Sequence, residues 1–142
     1  SLQPSFHYLL MANQAIFHKK LLAGLRDTGL TLGQPKVLDY LGDHDGASQK
    51  EIATACHIEP ASLTSILNRM EERGMVERRM LHGNRRSFYI FLTERGRALQ
   101  GSVQEMFDSL EEDTFHGISP EDRSAFLRVF YAIYQNLSEE KE

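Results

Sequence analysis

Residues 48–91 read SQKEIATACHIEPASLTSILNRMEERGMVERRMLHGNRRSFYIF, and this stretch decides the fold. Ser48-Gln49-Lys50-Glu51 holds both halves of a capping box, in which the serine hydroxyl serves the backbone N–H of Glu51 and the glutamate reaches back. A helix is therefore predicted from Gln49, with Ile52, Ala53 and Cys56 on one side. His57-Ile58-Glu59-Pro60 interrupts the period, because proline lacks the N–H a helix interior needs yet suits the first turn of a new helix. In that second helix Leu63, Ile66, Leu67 and Met70 fall at i, i+3, i+4 and i+7, which places them on one buried face. Ser62, Ser65, Asn68, Arg69 and Glu72 then face outward, with Thr64 on the flank. Short hydroxyls, an amide and a guanidinium can donate to base edges and phosphates, and short side chains let a helix sit deep in a groove.

Gly74 is predicted to end this helix as its C-terminal cap, after which the pattern becomes extended. Met75–Leu81 and Ser87–Leu92 are separated by His82-Gly83-Asn84-Arg85-Arg86, where glycine and asparagine supply the positive φ angles of a tight hairpin. Phe88, Ile90 and Leu92 alternate with Ser87, Tyr89 and Phe91, so one face of the hairpin can pack on the helices. Between Arg73 and Arg97 stand seven arginines against two acids, Glu77 and Glu94, a local balance of +5. A helix with a polar face beside an arginine-rich hairpin is the arrangement that holds a helix in the DNA major groove with a basic strand pair alongside.

The charge is unevenly spread. Residues 1–30 carry +2, residues 31–96 balance at 0 and residues 97–142 carry −6, within a net −4 for the chain. The acidic C-terminal third is expected to face away from phosphates, since a basic patch needs only a local excess.

The flanks are helical and apolar. The first helix is expected over about Pro4–Gly29 and carries Phe6, Leu9, Leu10, Met11, Ile16 and Phe17 on more than one stripe, a pattern that needs more than one packing partner. A short helix follows over Thr31–Leu41. Thr93 caps a long helix over Glu94–Phe115, and Ser119-Pro120-Glu121-Asp122 opens the last, with proline at N1 and acids in the first turn. Terminal helices this apolar suggest a homodimer in which they interlock. The expected organisation is an N-terminal dimerisation helix over 1–30, a winged helix-turn-helix lobe over 31–96 and C-terminal dimerisation helices over 97–142, together one intertwined domain. The fold class is mainly α with a small β-hairpin wing. No run of 18 apolar residues occurs, which excludes a membrane-spanning helix. A single cysteine forms no internal disulfide, and no charged segment leads into an apolar run at the start, so a cytoplasmic location is expected.

This order of elements resembles the MarR (multiple antibiotic resistance regulator) family of winged-helix transcription factors. The likeness rests on Gly29-Leu30-Thr31-Leu32-Gly33-Gln34, on the run from Leu63 to Arg78, and on Asn84-Arg85-Arg86-Ser87 leading into Leu92-Thr93-Glu94-Arg95-Gly96. The resemblance implies that Ser62, Thr64, Ser65, Asn68 and Arg69 face the major groove, and that Arg85 and Arg86 reach toward the minor groove or its phosphates. It implies a homodimeric repressor on a pseudo-palindromic operator of double-stranded DNA, with recognition helices about 34–36 Å apart. Two departures bear on base preference. Asn84 stands where family wings commonly carry an aspartate, and Ser65 where many relatives have a basic side chain. The resemblance also implies a small aromatic or phenolic effector, held between the dimerisation helices and the DNA-binding lobe by Phe17, Leu21, Val37, Tyr40 and Met106, residues that are equally good core formers.

Other chemistries find little support in the sequence. His7 and His18 share a helix face but lie three turns apart, and no H-x-x-x-H or C-x-x-C spacing occurs, so no metal or other cofactor is expected. No nucleophile–base pair or phosphate-cradling glycine loop is visible, and the chain is not expected to be an enzyme. Cys56, on the apolar side of its helix, reads as an inert buried thiol. The alternative of a different class is a winged-helix protein–protein interaction module whose arginines match an acidic partner.

Overall fold

A computed structural model describes residues 3–81, 83 and 87–139. It divides into two compact units, Ser1–Asp108 and Ser109–Glu142, each taken by itself below.

In the first unit α1 spans Phe6–Gly24, capped by Ser5, whose Oγ accepts the N–H of Tyr8 at 3.3 Å. It stops five residues before the predicted end. Arg26–Thr28 instead form a 3-10 turn in which the Thr28 hydroxyl donates to the Leu25 carbonyl at 2.5 Å and accepts from Leu30 N–H at 3.2 Å. Such local side-chain bonding offers the backbone an alternative to continuing the helix. α2 then runs Gln34–Asp43, beginning three residues later than predicted, because the Gln34 side chain turns back to accept the N–H of Thr31 at 3.0 Å. Val37, Leu38 and Leu41 of α2 have no exposed surface and form the middle of the core.

The capping box at Ser48 is present: its Oγ accepts Glu51 N–H at 3.1 Å and α3 runs Gln49–Cys56. His57 adopts φ 53° as the αL residue that ends α3, and α4 follows over Pro60–Glu72. Leu63, Leu67 and Met70 are fully buried, as the periodicity predicts, and Ile66 is half-buried. Gly74, at φ 71°, lets the chain leave α4.

The sheet has three antiparallel strands in the order β1-β3-β2: Ala47–Ser48, Tyr89–Leu92 and Val76–Arg79. Arg78 pairs with Ile90 and Arg79 with Tyr89, while Ala47 pairs with Ile90 on the other side. Ile90 is the fully buried residue of β3, and Phe88 is exposed. α5 spans Glu94–Thr114, with its first turn capped by Thr93, whose Oγ1 accepts Gly96 N–H at 3.0 Å. Gly96 has a packing reason: a Cβ there would collide with the carbonyl oxygen of Met75, so this helix start lies directly against the chain entering β2. Further along, Gly24 of α1 lies against Met106 of α5, and Phe17 stacks on Phe107 with ring centroids 6.3 Å apart.

In the second unit Phe115, just beyond the end of α5, meets Phe126 at 6.1 Å, and the Arg123 guanidinium lies 4.4 Å from the Phe115 ring centroid. α6 spans Pro120–Ser138, capped by Ser119, whose Oγ accepts Asp122 N–H at 3.1 Å. None of its residues is buried. No helix among the described residues is long and apolar enough to cross a membrane.

Candidate nucleic-acid interface

The outward face of α4 is built by exclusion. With Leu63, Leu67 and Met70 committed to the core, Ser62, Thr64, Ser65, Asn68 and Arg69 are left exposed along the opposite side, as the sequence predicts. Their hydrogen bonding is uneven. The Ser65 hydroxyl lies 3.5 Å from the Ala61 carbonyl, the back-bond a helical serine commonly makes. Thr64 is more tightly held: its hydroxyl donates to the Pro60 carbonyl at 3.0 Å and accepts from the Gln49 side-chain amide at 2.8 Å. Arg85 and Arg86, the expected wing-tip contacts, lie outside the described residues, as does Asn84.

The arginines around α4 do several different jobs. Arg73 donates to the carbonyl of Gly29 at 3.0 Å and so ties the end of α4 to the chain before α2. Arg97 donates to the Gly42 carbonyl at 3.2 Å and lies 3.5 Å from Asp45. Arg79 pairs with Glu77 at 2.9 Å and covers the Phe91 ring at 4.3 Å. Arg78 points inward, donating to the Thr64 carbonyl at 3.3 Å, 3.8 Å from Glu71 and 6.0 Å from the Phe88 ring centroid. Its Nε is buried without a hydrogen-bond partner among the described residues. The local positive balance read from the sequence therefore overstates the cations available to a ligand, since Glu71 and Asp45, both outside the Arg73–Arg97 window, answer two of them. An exposed pair such as Arg79–Glu77 is worth little on its own and opens readily for a phosphate.

Two residues of this region escaped sequence reading. Asp45 accepts the backbone N–H of Leu92 at 2.7 Å while facing Arg97, thereby fastening the end of β3 to the start of α5. Gln49, read from sequence only as a helix start, anchors both its backbone, through the Phe88 carbonyl at 2.9 Å, and its side chain, on Thr64. Neither carries a local signal, because both partners are far away in the chain.

The residues expected to hold an effector are differently placed. Leu21 and Val37 are buried, Phe17 stacks on Phe107, Met106 lies against Gly24, and Tyr40 stacks flat on His44 with ring centroids 4.2 Å apart. Cys56 is buried, its Sγ 3.7 Å from the Lys36 carbonyl. Burial pushes the thiol above its usual range; the nearby Lys36 ammonium opposes this and Asp39 adds to it. No group of three or more metal-ligating side chains occurs among the described residues.

A capped helix, a turn, a helix with a polar outer face and an antiparallel wing define a winged helix-turn-helix protein. Residues 30–88 match the model of the MarR family. Among solved structures it is similar to the transcriptional regulator PA3341, at 26% identity and TM-score 0.86 over 96% of this chain and 100% of that one. It is similar also to the transcriptional repressor CouR, solved bound to a 23-mer DNA duplex, at 27% identity and TM-score 0.82 over 92% of each chain. MepR of S. aureus, solved as a DNA complex, shares the fold at 22% identity and TM-score 0.87, over 96% of this chain and 100% of that one.

Proposed function

We propose that this chain is a sequence-specific regulator that binds double-stranded DNA, with α4 in the major groove and the wing against the adjacent backbone. The observation that carries the reading is the exposed polar row Ser62, Thr64, Ser65, Asn68 and Arg69, set opposite a fully buried apolar row on the same helix. Support comes from CouR, which at 27% identity over 92% of this chain is a repressor bound to duplex DNA. Arg85 and Arg86 are assigned to the wing contact with phosphates or the minor groove. The protein acts by binding, and its working place is the cytoplasm, where its DNA lies.

The binding unit is a homodimer on a pseudo-palindromic site, acting as a repressor. α1 leaves Phe6, Leu9, Met11 and Ile16 exposed, and α6 leaves Phe126, Leu127, Phe130 and Leu137 exposed. Apolar residues repeated along whole helix faces need a partner surface, and a second copy of the chain supplies one. Two recognition helices one DNA turn apart, about 34–36 Å, would then read equivalent half-sites. Release is assigned to a small aromatic or phenolic effector near Phe17, Leu21, Val37, Tyr40 and Met106. Because Leu21 and Val37 are buried, such a ligand must displace core side chains, which is a route to changing recognition-helix separation. An effector that lowers operator affinity tenfold needs about 1.4 kcal/mol of differential binding.

The test is selection of bound duplexes from a randomised pool by the purified protein. Enrichment of a two-fold symmetric sequence is expected, with affinity that falls steeply with salt. A pool that emerges unenriched contradicts the reading and points to a protein partner for the same surface.

A further inference from the structure

Thr64 sits where three elements converge. Its hydroxyl lies 3.0 Å from the Pro60 carbonyl and 2.8 Å from the Gln49 side-chain nitrogen, and its own carbonyl accepts from Arg78 at 3.3 Å. The Gln49 backbone N–H is in turn fixed on the Phe88 carbonyl at 2.9 Å, at the start of the wing strand. The polarity of this arrangement follows from counting hydrogens. The Thr64 hydroxyl donates its single hydrogen to the Pro60 carbonyl, which can only accept. With that hydrogen spent, Thr64 accepts from the NH2 group that Gln49 presents to it.

We propose that Gln49 is a specificity-determining positioning residue: by donating to Thr64 it fixes the threonine as a hydrogen-bond acceptor, so that α4 selects a base edge carrying an amine. The proposal rests on the DNA-binding reading above and names what one position of that surface recognises. In the major groove the amines are adenine N6 and cytosine N4, whereas guanine offers only acceptors and thymine an acceptor and a methyl. Without the Gln49 amide, only the Pro60 carbonyl, which the helix backbone of α4 also uses, holds the hydroxyl hydrogen, and a threonine free to turn that hydrogen outward would suit either kind of edge. One whose hydrogen is locked onto Pro60 accepts from an amine and is repelled by a bare acceptor. The Gln49 anchor on Phe88 makes this selection depend on the seating of the wing.

The experiment compares wild type with Gln49→Met and Thr64→Val, using selection from a randomised duplex pool followed by affinities for duplexes changed at single base pairs. Wild type is expected to favour an adenine or cytosine amine by about fivefold at one position in each half-site. Gln49→Met should erase most of that preference there, leaving the other positions and the salt slope unchanged. Thr64→Val should erase it fully, and the double variant should be no worse than Thr64→Val alone. If Gln49→Met keeps the full preference, or spreads its loss evenly over the whole site as a tilted helix would, the proposal is wrong although the protein binds DNA. Wild-type protein that enriches no sequence overturns the DNA-binding reading, and this proposal with it.

Discussion

The guanidinium of Arg78 on β2 donates to the carbonyl of Thr64 in the middle of α4 at 3.3 Å, which makes a wing-strand cation part of the support of the recognition helix. Its side chain keeps 16% exposure and lies 3.8 Å from Glu71, too enclosed to reach a phosphate without leaving its seat. Arg78→Ala is therefore expected to lower stability by about 1–2 kcal/mol through the missing hydrogen bond and packing. DNA affinity should fall as well, with its salt slope unchanged, because no phosphate is released from the protein. Thermal melting and salt titration check the two parts, and a slope reduced by about one would place Arg78 on the DNA instead.

Arg85 and Arg86 should behave in the opposite way. Replacing both by alanine is expected to leave melting nearly unchanged, to weaken binding about equally on all sequences, and to reduce the salt slope by about one for each phosphate no longer neutralised. Affinity and slope both equal to wild type would remove the wing from the mechanism.

These contrasts mark what local sequence can and cannot convey. The caps at Ser48 and Ser119, the break at Pro60 and the two faces of α4 were legible, since each depends on residues within about a turn of one another. The end of α1 was not, because the Thr28 hydroxyl diverts the backbone into a 3-10 turn. β1 was missed because two residues become a strand only by pairing with Ile90 and Tyr89. The roles of Arg73, Asp45 and Arg97 depend on carbonyls or amides more than forty residues distant. Composition told that region's sign of charge but not which cations were already engaged.

Cys56 gives a pH-dependent expectation. Burial raises its thiol pKa in the folded chain, so between the unfolded and folded values the native state binds more protons. Stability should then be fully present below the ordinary thiol range and should decline as pH rises through it. Cys56→Ala should be less stable near neutrality but flatter over alkaline pH. Thiol labelling of wild type should be slow until denaturant is added, and fast labelling of the native protein would contradict the burial.

The apolar face of α6 is the most direct handle on assembly. Leu127 and Phe130 are exposed in the single chain, so Leu127→Glu with Phe130→Glu should leave the helical signal unchanged. Sedimentation should nevertheless change from dimer to monomer, and operator affinity should drop by well over tenfold as paired half-site binding disappears. A wild-type protein that sediments as a monomer would remove the dimer from the mechanism.

Amide hydrogen exchange, with and without a duplex of about two turns bearing the selected sequence, shows whether the polar face of α4 meets DNA. Added protection is expected across Pro60–Glu72 and in the strands Val76–Arg79 and Tyr89–Leu92. Protection confined to α1 and α6, with α4 exchanging as in the free protein, would contradict it.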